Sequence, residues 1–399
     1  MAIFRGILLA LQSKPNLYAG KRFLVAALAC LAWTGCTPAF ADPAAMDAQV
    51  PGAAAPSAAA DAAAHQQWEH SLRQVPQPGE GCFHATYPNL TWNKVQCGQV
   101  SGYRSAPPRN PRRGLAYDAN GVGRQVVGNG SDYAISAPSG YLLNEAAGSF
   151  TATSNLKSEK GVGVAAFGYG GITGSNQYTL QLNTNFYNKS RACSGSSCFS
   201  WQQYILVSDD VNAAGTALTG TSDVFIQTWL IDYGSGGTCP SGFNDAGADS
   251  EGPGEDCYRN SPATVVAKQL PITALPQLQL SGSAKTSGTD SAIVIYNNQA
   301  YSSSVADTVS DIAAGWSSAE FNVVGNAGGS RAVFNIPSSL TVKVAGLYGT
   351  TAAPGCLGPS GGGTTGETNN YTLGSCTKKA GTSTTAIASA PYIQFTESN

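Results

Sequence analysis

The chain has 399 residues, only 12% of them charged, and its net charge of −2 leaves no large basic field for binding nucleic acid. It contains 47 glycines and only 2 methionines, which favours an extracellular all-β protein with many turns over a helical bundle. We therefore expect no nucleic-acid partner.

The N-terminus carries the features of a secretory signal. The basic pair Lys21-Arg22 precedes an apolar run, and Ala39-Phe40-Ala41 then supplies a small-x-small cleavage pattern. This predicts a signal peptide over residues 1–41 and a secreted protein, extracellular or periplasmic, that begins at Asp42. A partial lipoprotein box makes lipidation at Cys36 the alternative. No later stretch has the roughly 18 uninterrupted apolar residues of a membrane span, so none is expected.

Ten cysteines are present, and two of them, Cys30 and Cys36, fall in the predicted signal peptide. The remaining cysteines allow about 105 pairings, yet each neighbouring pair brackets a loop rich in Gly, Ser and Asn. In an oxidising compartment such pairs favour local disulfides over metal–thiolate clusters. The predicted disulfides are Cys82–Cys97, Cys193–Cys198, Cys239–Cys257 and Cys356–Cys376.

The region between the predicted signal peptide and residue 130 has two parts that differ in composition. Residues 42–66 are mostly Ala, Pro and Asp without apolar periodicity, which predicts a disordered linker. Residues 67–129 are interpreted as a small N-terminal module closed by its own disulfide. Near its end, the Pro/Arg-rich run 103–114 is either a solvated connector or a processing site that releases the module as a propeptide.

From about residue 130 to residue 399, short strand-like runs recur between Gly/Ser/Asn turns. Their spacing predicts an all-β domain, an antiparallel two-sheet sandwich or jelly roll. One short helix is predicted over residues 305–314. The predicted strands are 162–167, 177–186, 201–208, 224–233, 277–281, 292–296, 319–324, 332–336, 340–348 and 392–395.

The run Val224–Tyr233 is mostly apolar with one amide, Gln227, in its middle, and it is typical of a central strand buried on both faces. A buried amide without partners costs roughly 1–3 kcal/mol. Gln227 therefore either braces the sheet through hydrogen bonds or points into a cleft.

Elimination restricts the possible chemistry. The histidines are His65, His70 and His84, so residues 85–399 contain none. A Ser-His-Asp triad or a histidine zinc site in the sandwich is excluded unless His84 contributes. Because the cysteines are expected to be paired, a thiol nucleophile is not expected. Acid–base chemistry in the sandwich must therefore use carboxylates, helped by amides or tyrosines.

Three motifs then resemble a known family. Phe225-Ile226-Gln227-Thr228-Trp229 resembles the Leu-x-Gln-Thr-Gly strand of the eqolisins, secreted acid-acting glutamic peptidases with a lectin-like β-sandwich. Ser317–Val324 resembles their Ala-Glu-Trp/Phe-Ile-x-Glu strand, and Ser200-Trp201 resembles their cleft-lining Ser/Ala-Trp-Val segment. The resemblance covers residues 150–350 in outline. It implies a lectin-like jelly roll and an acid endopeptidase in which Gln227 acts with a glutamate on water and polypeptide. The chain also looks similar to uncharacterised secreted bacterial proteins, which names no activity.

The sequence departs from the family at the glutamate. Carried over residue by residue, the catalytic glutamate falls on Val324, and Glu320 matches an earlier, non-catalytic glutamate. Positions 320 and 324 are roughly 13 Å apart along a strand, so Glu320 needs a different register to take the role. The Tyr-x-Trp-Tyr-Glu-Trp segment of the family is also absent. The predicted catalytic residues are Gln227 and, by default, Glu320.

Aromatic faces beside amides suit peptide or sugar ligands. We therefore predict a substrate groove at Trp201, Gln203, Tyr204 and Trp229, with core packing of Trp201 as the alternative. The second functional hypothesis is a non-catalytic sandwich that binds polysaccharide or a cell surface. No cofactor is expected, apart from Ca²⁺ as a weak candidate on an acidic loop that is otherwise simply solvated. The candidate calcium residues are Asp245, Asp249, Glu251 and Glu255.

Overall fold

The computed structural model describes residues 58–103, 122–126, 132–164, 170–194, 198–234, 238–248, 254–359 and 367–399. The predicted signal peptide, residues 42–57 of the predicted linker and residues 104–114 of the Pro/Arg-rich run lie outside these ranges. Within the described ranges, no helix is both long enough and apolar enough to cross a membrane.

In the described part of the chain, the strands form two ten-stranded sheets and one four-stranded sheet. In spatial order, the first sheet contains β2 (Asn93–Val95), β1 (Gly81–Thr86), β16 (Gln299–Ala306), β15 (Thr289–Tyr296), β14 (Gln279–Ser283), β5 (Glu145–Ser154), β19 (Ser339–Leu347), β24 (Tyr392–Ser398) and β22 (Thr372–Leu373), with β23 (Thr377–Lys379) also paired to β24.

The second sheet contains β11 (Asn244–Ala248), β12 (Glu255–Asn260), β10 (Thr221–Tyr233), β9 (Phe199–Val207), β8 (Tyr178–Tyr187), β17 (Ser318–Gly325), β4 (Ala134–Ser136) and β20 (Gly355–Leu357), with β13 (Thr264–Lys268) on β10 and β3 (Val122–Val126) on β8. The small sheet contains β21 (Thr368–Asn369), β18 (Ser330–Phe334), β6 (Glu159–Gly163) and β7 (Gly174–Ser175). Strands in the two large sheets pair antiparallel, whereas β18 and β21 pair in parallel.

The two large sheets pack face to face around one apolar core. Side chains alternate along β10, so Val224 and Ile226 point toward the first sheet, where Leu280 and Val294 join the same buried cluster. Phe225 and Gln227, which alternate with them, point to the other side of the second sheet. The predicted all-β, antiparallel two-sheet sandwich is confirmed.

Two glycines of the first sheet make room for aromatic rings of the second. A Cβ atom at Gly282 would lie 2.2 Å from the ring of Tyr204, and one at Gly148 would lie 2.0 Å from the ring of Phe321. Each ring therefore fills a depression that only glycine leaves open, and these contacts fix how the sheets lie on each other.

The N-terminal region is continuous with the first sheet. Helix α1 (Ala58–Gln74) includes residues 58–66 of the predicted linker, since alanine favours helix and Trp68 and Leu72 anchor one face of α1 on a buried cluster. Strand β1 of the predicted module pairs with β16. Where a helix was predicted over residues 305–314, β16 continues to Ala306 and short 3₁₀ turns follow. In the described ranges, the 3₁₀ segments are Arg191–Cys193, Ile272–Gln277, Asp307–Val309, Ile312–Ala314 and Ile387–Ser389.

All four predicted disulfides are present, with Cα–Cα distances of 5.3, 5.1, 5.6 and 6.7 Å in chain order. Three of them close local loops. The fourth, Cys356–Cys376, runs from β20 of the second sheet to the residue before β23 of the first sheet. It therefore links the two sheets covalently at one edge.

Candidate functional site

The side of the second sheet that points away from the first sheet, called the outer face below, carries a row of polar side chains. Cross-strand register places Gln227 of β10 opposite Gln203 of β9, Gln203 opposite Asn183 of β8, and Asn183 opposite Glu320 of β17. All four side chains are buried. A polar row of this kind has to satisfy its own hydrogen-bonding groups.

The amides of the row bond to one another. The Gln203 Nε2 donates to Asn183 Oδ1 at 3.0 Å and to Gln181 Oε1 at 3.2 Å. The indole Nε1 of Trp229 donates to Gln227 Oε1 at 2.8 Å and to Gln203 Oε1 at 3.2 Å. The network holds each amide in one orientation, because turning any of them would leave a buried group unpaired.

Apolar clusters flank the amides on both sides. Phe225, two residues before Gln227 on the same face of β10, packs with Ile205 and Val207. Trp229, two residues after Gln227, packs with Trp201. The alternation of β10 thus places one amide between two water-excluding clusters, where hydrogen bonds to it are stronger than in water.

A short segment of the chain itself, Ser101–Tyr103, lies across the outer face. The carbonyl oxygen of Tyr103 accepts one bond from Gln227 Nε2 at 3.1 Å and another from Asn260 Nδ2 at 2.8 Å. Asn260 Nδ2 also donates to the carbonyl of Ser101 at 2.9 Å, and its Oδ1 accepts from Gln227 Nε2 at 2.8 Å. Two side-chain amides therefore converge on one peptide carbonyl.

The tyrosine side chain of that segment fills a defined place. Its ring meets the ring of Phe225 edge-on at 5.6 Å between centroids. Its hydroxyl donates to Glu367 Oε1 and accepts from Gln181 Nε2 at 2.7 Å. Tyr103 is 1% exposed, so ring and hydroxyl are both enclosed.

The two residues before Tyr103 are equally well fitted. The Ser101 hydroxyl donates to Asp210 Oδ1 at 2.5 Å and accepts from the backbone N–H of Tyr103 at 2.9 Å. A Cβ atom at Gly102 would lie 2.1 Å from the carbonyl oxygen of Asn212. Only glycine lets the segment approach the turn at residues 212–215 this closely.

The predicted catalytic residues share the outer face but do not meet. Gln227 and Glu320 are separated by three strand spacings of about 4.8 Å, or about 14 Å between their Cα atoms. The amide of Gln227 bonds toward β12, on the side away from Glu320. Among the described residues, its side-chain partners are Tyr103, Asn260 and Trp229, and none of these offers a carboxylate.

Glu320 belongs instead to a buried group of carboxyls around Asn322. Asn322 Nδ2 donates to Asp132 Oδ1 at 2.5 Å and to Glu397 Oε2 at 3.0 Å. Burial raises the pKa of Glu320 well above its usual value, the Asp132 carboxylate raises it further, and the Asp132 backbone N–H offsets part of the rise. Burial, with Asp132 adding, raises the pKa of Glu397 to about 8. These groups hold protons far above the usual range of a glutamate.

The predicted substrate-binding residues Trp201, Gln203, Tyr204 and Trp229 are all 0% exposed. Gln203 and Trp229 belong to the amide network, and Trp201 packs beside Trp229 and donates to the carbonyl of Thr184 at 3.0 Å. Tyr204 points to the opposite side, into the core between the sheets. These residues build and support the outer face, and none of them reaches solvent.

The acidic loop is only partly within the described ranges. Asp245 is exposed and its carboxylate accepts the backbone N–H of Gly247 at 2.7 Å, whereas Glu255 lies in β12. Asp249 and Glu251 fall outside those ranges. Among the residues that can be examined, no group of three or more His, Cys, Asp or Glu is placed to hold a metal ion.

A cavity of about 710 Å³ opens at the start of β17. Its lining includes Ser318, which precedes Glu320 by two residues on the outer face, together with Tyr141 and Lys189. Hydroxyl, aromatic and ammonium groups of this kind suit a ligand rich in hydroxyl groups.

Comparisons with known proteins found no matching family model, no matching curated protein and no matching solved structure. The resemblance to the eqolisins therefore rests on its short motifs alone.

Sequence reasoning missed Asn260, Glu367 and the role of Tyr103. Asn260 is followed by Ser261-Pro262, a combination typical of a turn, and it meets Gln227 only through the register of β10 and β12. Glu367 follows a Gly/Thr-rich stretch of sequence that has no strand pattern of its own. The one available signal was the need of a buried Gln227 for partners, which does not say where in the chain they lie.

Proposed function

We propose that the protein is an exported β-sandwich that binds extended polypeptide on its outer face, around Gln227 and Asn260. The observation that carries the proposal is the convergence of two amide donors on the Tyr103 carbonyl, at 3.1 and 2.8 Å. Main-chain hydrogen bonds are the general means of recognising an extended peptide. Here they come from side chains held on adjacent strands, whose own ladder bonds stay intact.

The export part of the proposal has separate support. The pattern of residues 1–41 predicts a signal peptide, and four disulfides are typical of proteins that fold in an oxidising compartment. N-terminal sequencing of the secreted chain is expected to give Asp42. A start after residue 103 would show instead that the Pro/Arg-rich run is a processing site.

Binding is tested with a variant in which the bound segment is loosened. Ser101→Ala combined with Tyr103→Ala, the loosened variant, removes the contacts of both side chains with the outer face. We expect it to bind fluorescently labelled, denatured casein, as measured by anisotropy. Adding Asn260→Ala should weaken binding at least tenfold, because a main-chain carbonyl of the bound polypeptide loses its hydrogen bond from the buried Asn260 amide. The exposed Gln277→Ala serves as the matched control, and binding that does not depend on Asn260 would contradict the proposal.

Acid hydrolysis of the bound polypeptide is the second candidate function. Two fixed donors on a peptide carbonyl are also the arrangement that stabilises an oxyanion. This candidate retains the role that the eqolisin resemblance gives to Gln227.

Casein digestion between about pH 2 and 5 tests that candidate. Gln227→Ala is expected to abolish cleavage. If Glu320→Gln leaves cleavage intact, a carboxyl other than Glu320 supplies the acid. Cleavage that survives both substitutions would rule out this site, and no cleavage by the parent chain or the loosened variant would leave binding as the function.

A further inference from the structure

We infer that Ser101–Tyr103 is an internal ligand of the outer face, and that this face selects tyrosine preceded by glycine. The inference rests on the proposed polypeptide-binding function. It names the class of ligand, an extended Ser-Gly-Tyr segment, and a form of regulation, since the site is filled by its own chain.

The segment is held by side chains in the manner of a bound peptide. Asn260 donates to the carbonyls of Ser101 and Tyr103, and Gln227 donates to the second of these. One backbone contact adds to this, from the Gly102 N–H to the Val211 carbonyl at 3.4 Å. A separate peptide of the same sequence would find the same donors and acceptors.

Selection for tyrosine follows from the two groups at its hydroxyl. Gln181 and Glu367 are 2% and 0% exposed, and both meet the Tyr103 hydroxyl. Phenylalanine would keep the edge-on contact with Phe225 but would deprive a buried carboxylate of this donor and a buried amide of this acceptor. A site built to bond a hydroxyl rejects the analogue that lacks it more strongly than a purely apolar pocket could.

Selection for glycine is steric. Beyond the approach to Asn212, a Cβ atom at position 102 would lie 2.6 Å from the backbone nitrogen of Gly215. Both obstacles are backbone atoms, which cannot move aside as the end of a long side chain can. An alanine before the tyrosine would push the segment away from this turn and strain the paired bonds to its carbonyls.

The experiment compares three peptides by isothermal titration calorimetry against the full chain and the loosened variant. The peptides are acetyl-Val-Ser-Gly-Tyr-amide and its Gly-Phe and Ala-Tyr counterparts. We expect the loosened variant to bind the Gly-Tyr peptide at least tenfold more tightly than either counterpart. The parent chain should bind it at least tenfold more weakly than the loosened variant, because the internal segment competes.

Equal affinity for the three peptides would overturn the selectivity, and equal affinity of parent chain and loosened variant would overturn the internal ligand. If either result accompanies Asn260-dependent casein binding, the proposed function stands and only this inference fails. If the loosened variant binds neither casein nor any of the peptides, both fail.

A milder variant covers the case in which the loosened variant does not fold, as judged by thermal unfolding. Tyr103→Phe keeps the ring against Phe225 and removes only the hydroxyl, so the internal segment becomes a weaker competitor. The Gly-Tyr peptide is then expected to bind Tyr103→Phe at least tenfold more tightly than the parent chain. Equal binding to the two would contradict the inference.

Discussion

The side-chain amide of Gln227 uses both its nitrogen and its oxygen in hydrogen bonds. Its oxygen accepts from Trp229, and its nitrogen donates to Asn260 and Tyr103. The two interpretations open at the level of sequence, a brace for the sheet and a residue of a binding face, are therefore compatible. The same amide braces β10 against β12 and holds the peptide carbonyl.

Removing this amide should destabilise the fold. Gln227→Ala deprives the buried Asn260 Oδ1 of this donor and leaves the Trp229 indole with the longer bond to Gln203, and we expect a loss of about 2–4 kcal/mol in the free energy of unfolding. Chemical denaturation measures it. Gln277→Ala, at an exposed glutamine, should cost less than about 0.5 kcal/mol. A similar cost for the two substitutions would contradict the network.

The buried Glu397 predicts that the protein is more stable in acid. Its pKa is raised to about 8 in the folded chain by burial, whereas an unfolded glutamate titrates near about 4.3. The folded state therefore favours the protonated form. Its stabilising contribution is fully present below about pH 4.3 and is lost as the pH rises toward 8, at up to roughly 1.4 kcal/mol per pH unit.

Urea unfolding at pH 4.5 and 7.5 checks this sign. The neutral variant Glu397→Gln should reduce the pH dependence and gain stability relative to the parent chain at pH 7.5. Glu80→Gln, at an exposed glutamate, is the matched control for the substitution. A parent chain that is more stable at pH 7.5 than at pH 4.5 would contradict the account.

For individual residues, the sequence predicted that a buried Gln227 needs hydrogen-bond partners, but it did not indicate which residues these are. Ser101–Tyr103 is more than 120 residues away in the chain, and Asn260 reaches Gln227 across a disulfide-closed loop. Such contacts depend on register and on chain crossing, and neither leaves a local pattern.

Among the elements, the glycine positions of the first sheet test how the sandwich packs. Gly282→Ala would place a Cβ atom 2.2 Å from the ring of Tyr204, which forces the sheets apart or the ring off its rotamer. We expect a loss of about 1–3 kcal/mol or more in the free energy of unfolding.

Gly358→Ala is the matched control for that substitution, since a Cβ atom there meets nothing within 4 Å. Thermal and urea unfolding of the two variants give the comparison. Equal stabilities of Gly282→Ala and Gly358→Ala would show that Tyr204 does not rely on the depression at Gly282.

Long apolar or alternating strands were predictable, and short edge strands were not. β8, β9, β10 and β17 have runs of eight to thirteen residues with clear patterns, and each coincides with a predicted strand. Strands of two or three residues, such as β21 and β22, are strands only because a neighbour pairs with them. Helix α1 was missed because its many alanines show little apolar periodicity and its anchoring comes from tertiary packing.

In the whole molecule, the disulfide Cys356–Cys376 has a different role from the three local ones, because it joins the two sheets. It spans 20 residues, whereas Cys193–Cys198 spans 5. Loop-closure entropy then predicts that replacing both cysteines of a disulfide by serine lowers the free energy of unfolding by about 3 kcal/mol for Cys356–Cys376 and by about 2 kcal/mol for Cys193–Cys198. Guanidinium unfolding measures both, and a larger loss at Cys193–Cys198 would contradict the assignment.

The architecture followed from composition and strand spacing, because a sandwich needs only alternating strands and turns to be recognised. The sequence did not predict that the outer face is occupied. The segment Ser101–Tyr103 precedes the predicted sandwich in the chain, and it contacts side chains on several strands of the second sheet. The eqolisin resemblance predicted a catalytic pair, Gln227 and Glu320, from two separate motifs. The structure places the strands of these motifs three strand spacings apart, so the two side chains do not meet.

The most direct test of the account is the affinity of the loosened variant for acetyl-Val-Ser-Gly-Tyr-amide, measured by calorimetry with and without Asn260→Ala. The peptide is expected to bind, and removing Asn260 is expected to weaken binding at least tenfold. Undiminished binding after removal of Asn260, in a variant that unfolds cooperatively, would show that the outer face is not the binding site.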